Sequence, residues 1–129
     1  MKLTGDLAIP PCLLDIDGNG TIDALTDGLM ILRVMFGLTG TSVINGAIGS
    51  GATRTTWAQV EPAIQLSALD IDGNGATDAL TDGLIILRAM FGLTGASVTT
   101  GAIGSGATRS TWAQIQPFLN THCGTNFTP

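Results

Sequence analysis

Basic residues, histidine and long apolar runs are all scarce in this chain, and each scarcity closes off a class of function. The five basic residues, Lys2, Arg33, Arg54, Arg88 and Arg109, are scattered singly. No patch is left that could neutralise a nucleic acid backbone, so no nucleic acid partner is expected. The longest apolar stretch, residues 29–36, is interrupted by Arg33 and is far shorter than the roughly 20 residues a spanning helix needs, so no membrane insertion is expected. The amino end lacks the continuous apolar core of a signal peptide, and the chain reads as a piece of a longer precursor. The single histidine, His122, adjoins Cys123, and neighbouring side chains rarely form a nucleophile and base pair. The run Gly46-Ala-Ile-Gly-Ser-Gly51 has no Lys-Ser/Thr to make it a phosphate loop. We therefore expect no enzyme.

What the chain does have is acid in two places. Eight of its ten acidic residues fall in two short segments, Asp15-Ile-Asp17-Gly-Asn19-Gly20-Thr-Ile-Asp23-Ala-Leu-Thr-Asp27 and Asp70-Ile-Asp72-Gly-Asn74-Gly75-Ala-Thr-Asp78-Ala-Leu-Thr-Asp82. The net charge of -5 is thus a property of two sites, and two divalent cations would nearly cancel it. The segments lie 55 residues apart within a longer repeat: residues 14–62 and 69–117 share 39 of 49 positions. The chain is two copies of one unit, repeat 1 over residues 13–67 and repeat 2 over 68–122, in one tandem domain spanning 1–129. Each copy alone would bury little apolar surface, so the copies should pack on each other or draw folding free energy from a metal.

Oxygen side chains at alternate positions, with a glycine at the sixth, are what a loop needs to wrap a hard cation. The ligands are all oxygen, with no Cys or His in either loop, which disfavours zinc, copper and iron. Six protein oxygens in a pliable loop suit Ca²⁺ better than the small octahedron of Mg²⁺. In the first loop Asp15, Asp17 and Asn19 are expected to give side-chain oxygens, Thr21 its carbonyl, Asp23 an oxygen directly or through water, and Asp27 the closing carboxylate. In the second loop the set is Asp70, Asp72, Asn74, the Ala76 carbonyl, Asp78 and Asp82, giving two ions, one per repeat. Position 12, where a calcium loop of this kind carries a bidentate Glu, is Thr26, and the acid comes one residue later. The shorter side chain predicts weak binding, roughly 10⁻⁵ to 10⁻³ M. Asn-Gly is also a common turn signal, and acid-rich turns are often merely solvated. Four carboxylates in each of two loops would repel one another without a cation among them.

The coarse pattern of each unit is loop, helix, loop, helix, an all-α fold. Ala24, Leu25, Gly28, Leu29, Leu32, Met35 and Phe36 recur at steps of three and four, predicting a helix over 23–36 with this stripe inward, and its copy over 78–91. Gly37 and Gly92 follow as expected C-terminal caps. The stretches 39–55 and 94–110, rich in Gly, Ser, Thr and Ala, read as loops. Thr56-Trp-Ala-Gln59 and Thr111-Trp-Ala-Gln114 fit capping boxes opening a second helix, and Pro62 and Pro117 should leave it short, kinked or ended. Trp57 and Trp112 are expected in core or inter-repeat packing rather than as a ligand platform.

The pattern Asp-x-Asp-Gly-Asn-Gly-x-x-Asp, followed by an acid and an amphipathic helix, resembles the loop-helix half of an EF-hand as found in dockerins, the small extracellular modules of bacterial cellulosomes that bind cohesins. The resemblance covers about 24 residues in each copy. It implies a calcium-folded module of a secreted or cell-surface protein, with a cohesin-like protein or a second copy as partner. Recognition side chains at the start of the helix would map to Leu25, Thr26, Leu80 and Thr81. The chain departs from dockerins in placing the closing Asp at position 13, and in spacing its motifs so that residues 46–64 stand where a partner motif would. A calcium-stabilised spacer or terminal cap with no partner is the alternative. Exposure of Ile31 or Val34, with Ile86 or Ala89, would favour a docking helix face; their burial would favour the spacer.

Cys12 and Cys123, the only cysteines, bracket the tandem. If the copies pack about a pseudo-twofold axis these ends can meet in a disulfide, whereas an open solenoid would hold them apart. We favour the disulfide, and with it an oxidising, extracellular setting.

Overall fold

The computed structural model describes residues 12–129. The stretch before them, with Lys2, Asp6 and the segment lacking a signal-peptide core, lies outside. Among the described residues the structure is all-α, with helices, turns and no strand.

After the first acidic loop, helix α1 opens as a π-helical turn, Ala24–Gly28, and continues as α-helix over Leu29–Met35. A one-turn helix α2, Thr41–Ile44, interrupts the stretch expected to be loop. Helix α3, Trp57–Val60, runs into a 3₁₀ turn, Glu61–Ala63, and a second 3₁₀ turn, Leu66–Ala68, leads to the second acidic loop. The second copy repeats the order: α4 (π turn Ala79–Gly83, then Leu84–Met90), α5 (Ala96–Thr99) and α6 (Trp112–Cys123).

The π turn resolves the displaced acid. Gly28 N–H donates to the Asp23 carbonyl at 3.1 Å, a ring one residue larger than that of an α-helix, so the turn takes up the extra residue and brings Asp27 inward. It also corrects the expected stripe. Everything beyond the turn is rotated relative to an uninterrupted helical period, so the buried residues of α1 are Ala24, Asp27, Gly28, Met30 and Ile31, while Leu25 and Phe36 face solvent. The helix end matches the expectation. Gly37, at φ 90°, supplies the left-handed residue, and the Gly37 and Leu38 N–H groups donate to the Val34 and Arg33 carbonyls at 2.9 and 3.0 Å, a Schellman cap.

The two copies share one core. Leu14, Ile16, Met30, Ile31, Val43 and Val60 lie in the same buried cluster as Leu69, Ile71, Ile85, Ile86, Val98 and Ile115. Helices α1 and α4 meet through glycines: a methyl group on Gly28 would stand 2.8 Å from Leu87 Cδ1 and 3.1 Å from Met90 Sδ, and one on Gly83 would stand 2.8 Å from Leu32 Cδ1 and 3.0 Å from Met35 Sδ. Each residue touches the counterpart of what touches it, as in an isologous contact. The absent side chains let the helices approach where they cross.

Both capping boxes form as expected. The helices they open differ. The first gives way after Val60 to the 3₁₀ turn that holds Pro62. The second continues past Pro117 to Cys123, where burial of Ile115, Leu119 and Cys123 offsets the missing N–H of the proline. Trp112 is buried and Trp57 half-buried against the core. Cys12 and Cys123 form a disulfide closing 111 residues, and Cys12 N–H donates to the His122 carbonyl at 3.2 Å.

Candidate metal centres

Each acidic loop gathers three carboxylates. Asp15, Asp17 and Asp27 form one group and Asp70, Asp72 and Asp82 the other, with one ligand oxygen from each residue within 4.8 Å of the others. Asp17, Asp27, Asp72 and Asp82 are fully buried, the only fully buried charged side chains among the described residues. Burying a carboxylate costs several kcal/mol unless hydrogen bonds or a cation compensate.

Hydrogen bonds shape each group. Asp27 accepts from the N–H groups of Asp17 at 3.1 Å and Asp23 at 2.9 Å, tying the start of α1 to the loop. Asp82 accepts from Ile71 at 2.6 Å, Asp72 at 3.1 Å and Asp78 at 2.9 Å. Burial nevertheless pushes both carboxyls up, to a pKa of about 6 from an ordinary 3.8, with the neighbouring Asp17 or Asp72 charge pushing the same way. These are groups an additional positive charge would stabilise.

The other side chains of the expected ligand sets make hydrogen bonds within the loops. Asp23 and Asp78 cap the helices, accepting from Leu25 and Leu80 N–H at 3.1 and 3.2 Å. Asn19 and Asn74 accept from the N–H of Thr21 and Ala76, both at 3.0 Å, in the turn that Gly20 and Gly75 complete at φ 93° and 91°. Leu25 and Leu80 are exposed, at 58% and 57%, whereas Thr26 and Thr81 turn their hydroxyls inward, 3.4 and 3.3 Å from Asp27 and Asp82.

Sequence reasoning missed the other wall. The Gly-rich stretch folds over the acidic loop: Gly49 N–H donates to Asp17 Oδ2 at 2.7 Å, the Thr53 and Arg54 N–H groups both donate to the Asp17 carbonyl at 2.9 Å, and the Arg54 guanidinium holds the Ile16 and Asp15 carbonyls at 2.6 and 2.8 Å. Gly104 and Arg109 repeat the arrangement on Asp72, Ile71 and Asp70 at 2.7, 2.8 and 2.9 Å. A Cβ on Gly49 would lie 2.9 Å from Asp17 Oδ2, so only glycine brings its N–H this close. The available signal was the run Gly46-Ala-Ile-Gly-Ser-Gly-Ala-Thr-Arg54, repeated without change at residues 101–109.

An added cation fits this geometry. Asp72 Oδ1 is a buried carboxylate oxygen with no hydrogen-bond partner, and such a group is costly unless something positive meets it. All-oxygen donors select a hard ion. The residues placed to hold one are therefore Asp15, Asp17 and Asp27, and Asp70, Asp72 and Asp82. Comparison with known protein families, with curated proteins and with solved structures returned no match to this chain. Among the described residues, no helix is long and apolar enough to cross a membrane.

Proposed function

We propose that this chain is a dockerin-like calcium-binding module of a secreted or cell-surface protein, folded by two Ca²⁺ ions and used for attachment to a protein partner. The observation that carries the calcium reading is the pair of carboxylate triads, each with two of its three members fully buried and one with an orphaned oxygen. Oxygen-only ligands in a loop closed by a wide helical turn suit the larger, more flexible coordination of Ca²⁺ over Mg²⁺. The disulfide suits an oxidising compartment. Attachment is supported by the exposed Leu25 and Leu80 at the helix starts, where the resemblance to dockerins puts recognition side chains.

A second reading, a calcium-stabilised spacer, is favoured by a different observation. Ile31, Ile86 and Ala89 are buried and Val34 packs against the core, so the helix face whose exposure would favour docking is spent on the core. A calcium titration by calorimetry, followed by circular dichroism and light scattering, tests the common ground. Uptake of two ions per chain with a gain in helicity is expected, and no uptake at millimolar calcium would overturn the proposal. Association of the loaded protein, lost in the Leu25→Asp, Leu80→Asp variant, would favour attachment over the spacer.

A further inference from the structure

The two sites are built from the same loop residues but held from behind by different ones. In the second copy the Arg109 guanidinium, which fixes the Ile71 and Asp70 carbonyls, is covered by the Phe118 ring with its Cζ 3.6 Å from the ring centroid. Phe118 in turn stacks on His122 at 4.7 Å, and His122 Nε2 donates to the Ala68 carbonyl at 2.8 Å, just ahead of Asp70. Arginine, phenylalanine and histidine thus form one pile between α6 and both ends of the second loop's entry. The disulfide at Cys123 seats the end of that helix.

The first copy has no such pile. Ala63 occupies the position of Phe118, in a 3₁₀ turn rather than a helix, and Arg54 holds the Ile16 and Asp15 carbonyls alone. The carboxylates differ as well. Asp17 Oδ1 accepts from Asn19 N–H at 3.3 Å, so an ion must displace or share that bond, whereas Asp72 Oδ1 has no internal partner to give up.

We infer that the two ion sites are unequal, and that Phe118 is a positioning residue that makes the second, Asp70-Asp72-Asp82 site the tighter one by bracing Arg109 against the loop carbonyls. The inference rests on the calcium reading above. Its physical basis is preorganisation: a loop already held in its binding shape loses less conformational freedom when the ion arrives. A guanidinium packed on an aromatic face supplies enough interaction for a difference of about three- to tenfold in affinity.

The test is calorimetric titration with CaCl₂ of two variants that each keep one site, Asp15→Ala (second site kept) and Asp70→Ala (first site kept), with and without Phe118→Leu. Leucine keeps the volume and loses the aromatic face; Phe118→Tyr should restore affinity. The second site is expected to bind about three to ten times more tightly than the first, and Phe118→Leu to remove that advantage while leaving the first site's constant unchanged. Equal constants for the two single-site proteins, or an equal shift in both on Phe118→Leu, would overturn the inference while leaving the calcium reading intact. Absence of calcium uptake by the wild-type chain would overturn both. The comparison of the two single-site proteins with Phe118 in place decides the matter even if Phe118→Leu fails to fold.

Discussion

Two loops of nearly the same sequence sit in one molecule on different supports. The first copy ends in a 3₁₀ turn that must hand the chain on, and the second in a helix that carries Phe118, His122 and a disulfide. The ligand geometry is common to both, because the acids of the loop, the wide turn and the folded-over run of residues 46–54 and 101–109 recur without change. The support is not, because identity between the copies stops after Pro117. Close internal repetition therefore specifies what a site is made of, and the flanks specify how firmly it is held.

The largest expected effect removes the flank that distinguishes the copies. Replacing Cys12 and Cys123 by serine opens a loop of 111 residues, which in the chain-entropy account costs about 5 kcal/mol of stability, measurable by urea unfolding. Hydrogen exchange should report the greater loss of protection in α6 and the second loop. Equal loss in both copies would remove the contrast.

Calcium itself comes next. At a tenfold excess over its dissociation constant, each bound ion adds about 1.4 kcal/mol, so chelation should lower the melting temperature of the wild type by more than that of either single-site variant. An unchanged melting temperature on chelation would contradict two folded-state ions.

The pH dependence should change sign with calcium. Without the ion, Asp27 and Asp82 keep their protons up to about pH 6 in the folded chain, while the unfolded chain releases them near the ordinary 3.8. Above that lower value the unfolded state binds fewer protons, so stability falls as pH rises from about 4 to about 6 and is then level. With calcium present the ion competes with those protons, and stability should rise over the same window. Thermal melts at pH 4, 5, 6 and 7, with calcium and with chelator, check this through the opposite slopes.

The smallest effect tests where the copies are alike. Gly28→Ala and Gly83→Ala each push a methyl group against the tips of a leucine and a methionine, which can give way, and each gains helix propensity worth about 1 kcal/mol. The net change should be within about 1 kcal/mol and the same for both. A clear difference in urea midpoint would mean that the helix contact is not reciprocal.

Much of this was legible in the sequence for a physical reason. Alternating acids predict carboxylates gathered in one loop, Thr-x-x-Gln predicts a capped helix, and two cysteines bracketing a duplicated unit allow a disulfide or an open solenoid, of which the disulfide is the one formed. The π turn was not legible as such. The residue shift of Asp27 was visible, but a stretched side chain and a widened backbone turn share that sequence pattern, and the backbone widens. The resulting rotation also hid which of Leu25 and Ile31 would face the core. Arg54 and Arg109 were missed because they act through backbone carbonyls some 38 residues away, a pairing with no local pattern. The helices Thr41–Ile44 and Ala96–Thr99 were read as loop because a single turn shows no period; they are fixed instead by Arg33 and Arg88, which bind the carbonyls of Val43 and Asn45, and of Val98 and Thr100.

The central claim is tested most directly by a crystal structure of the protein grown with millimolar calcium. The account predicts one strong peak in each triad, bonded to oxygens of Asp15, Asp17 and Asp27, and of Asp70, Asp72 and Asp82, at the 2.3 to 2.6 Å typical of Ca²⁺. Ordered loops holding only water, with Asp72 Oδ1 hydrogen-bonded to that water, would contradict it.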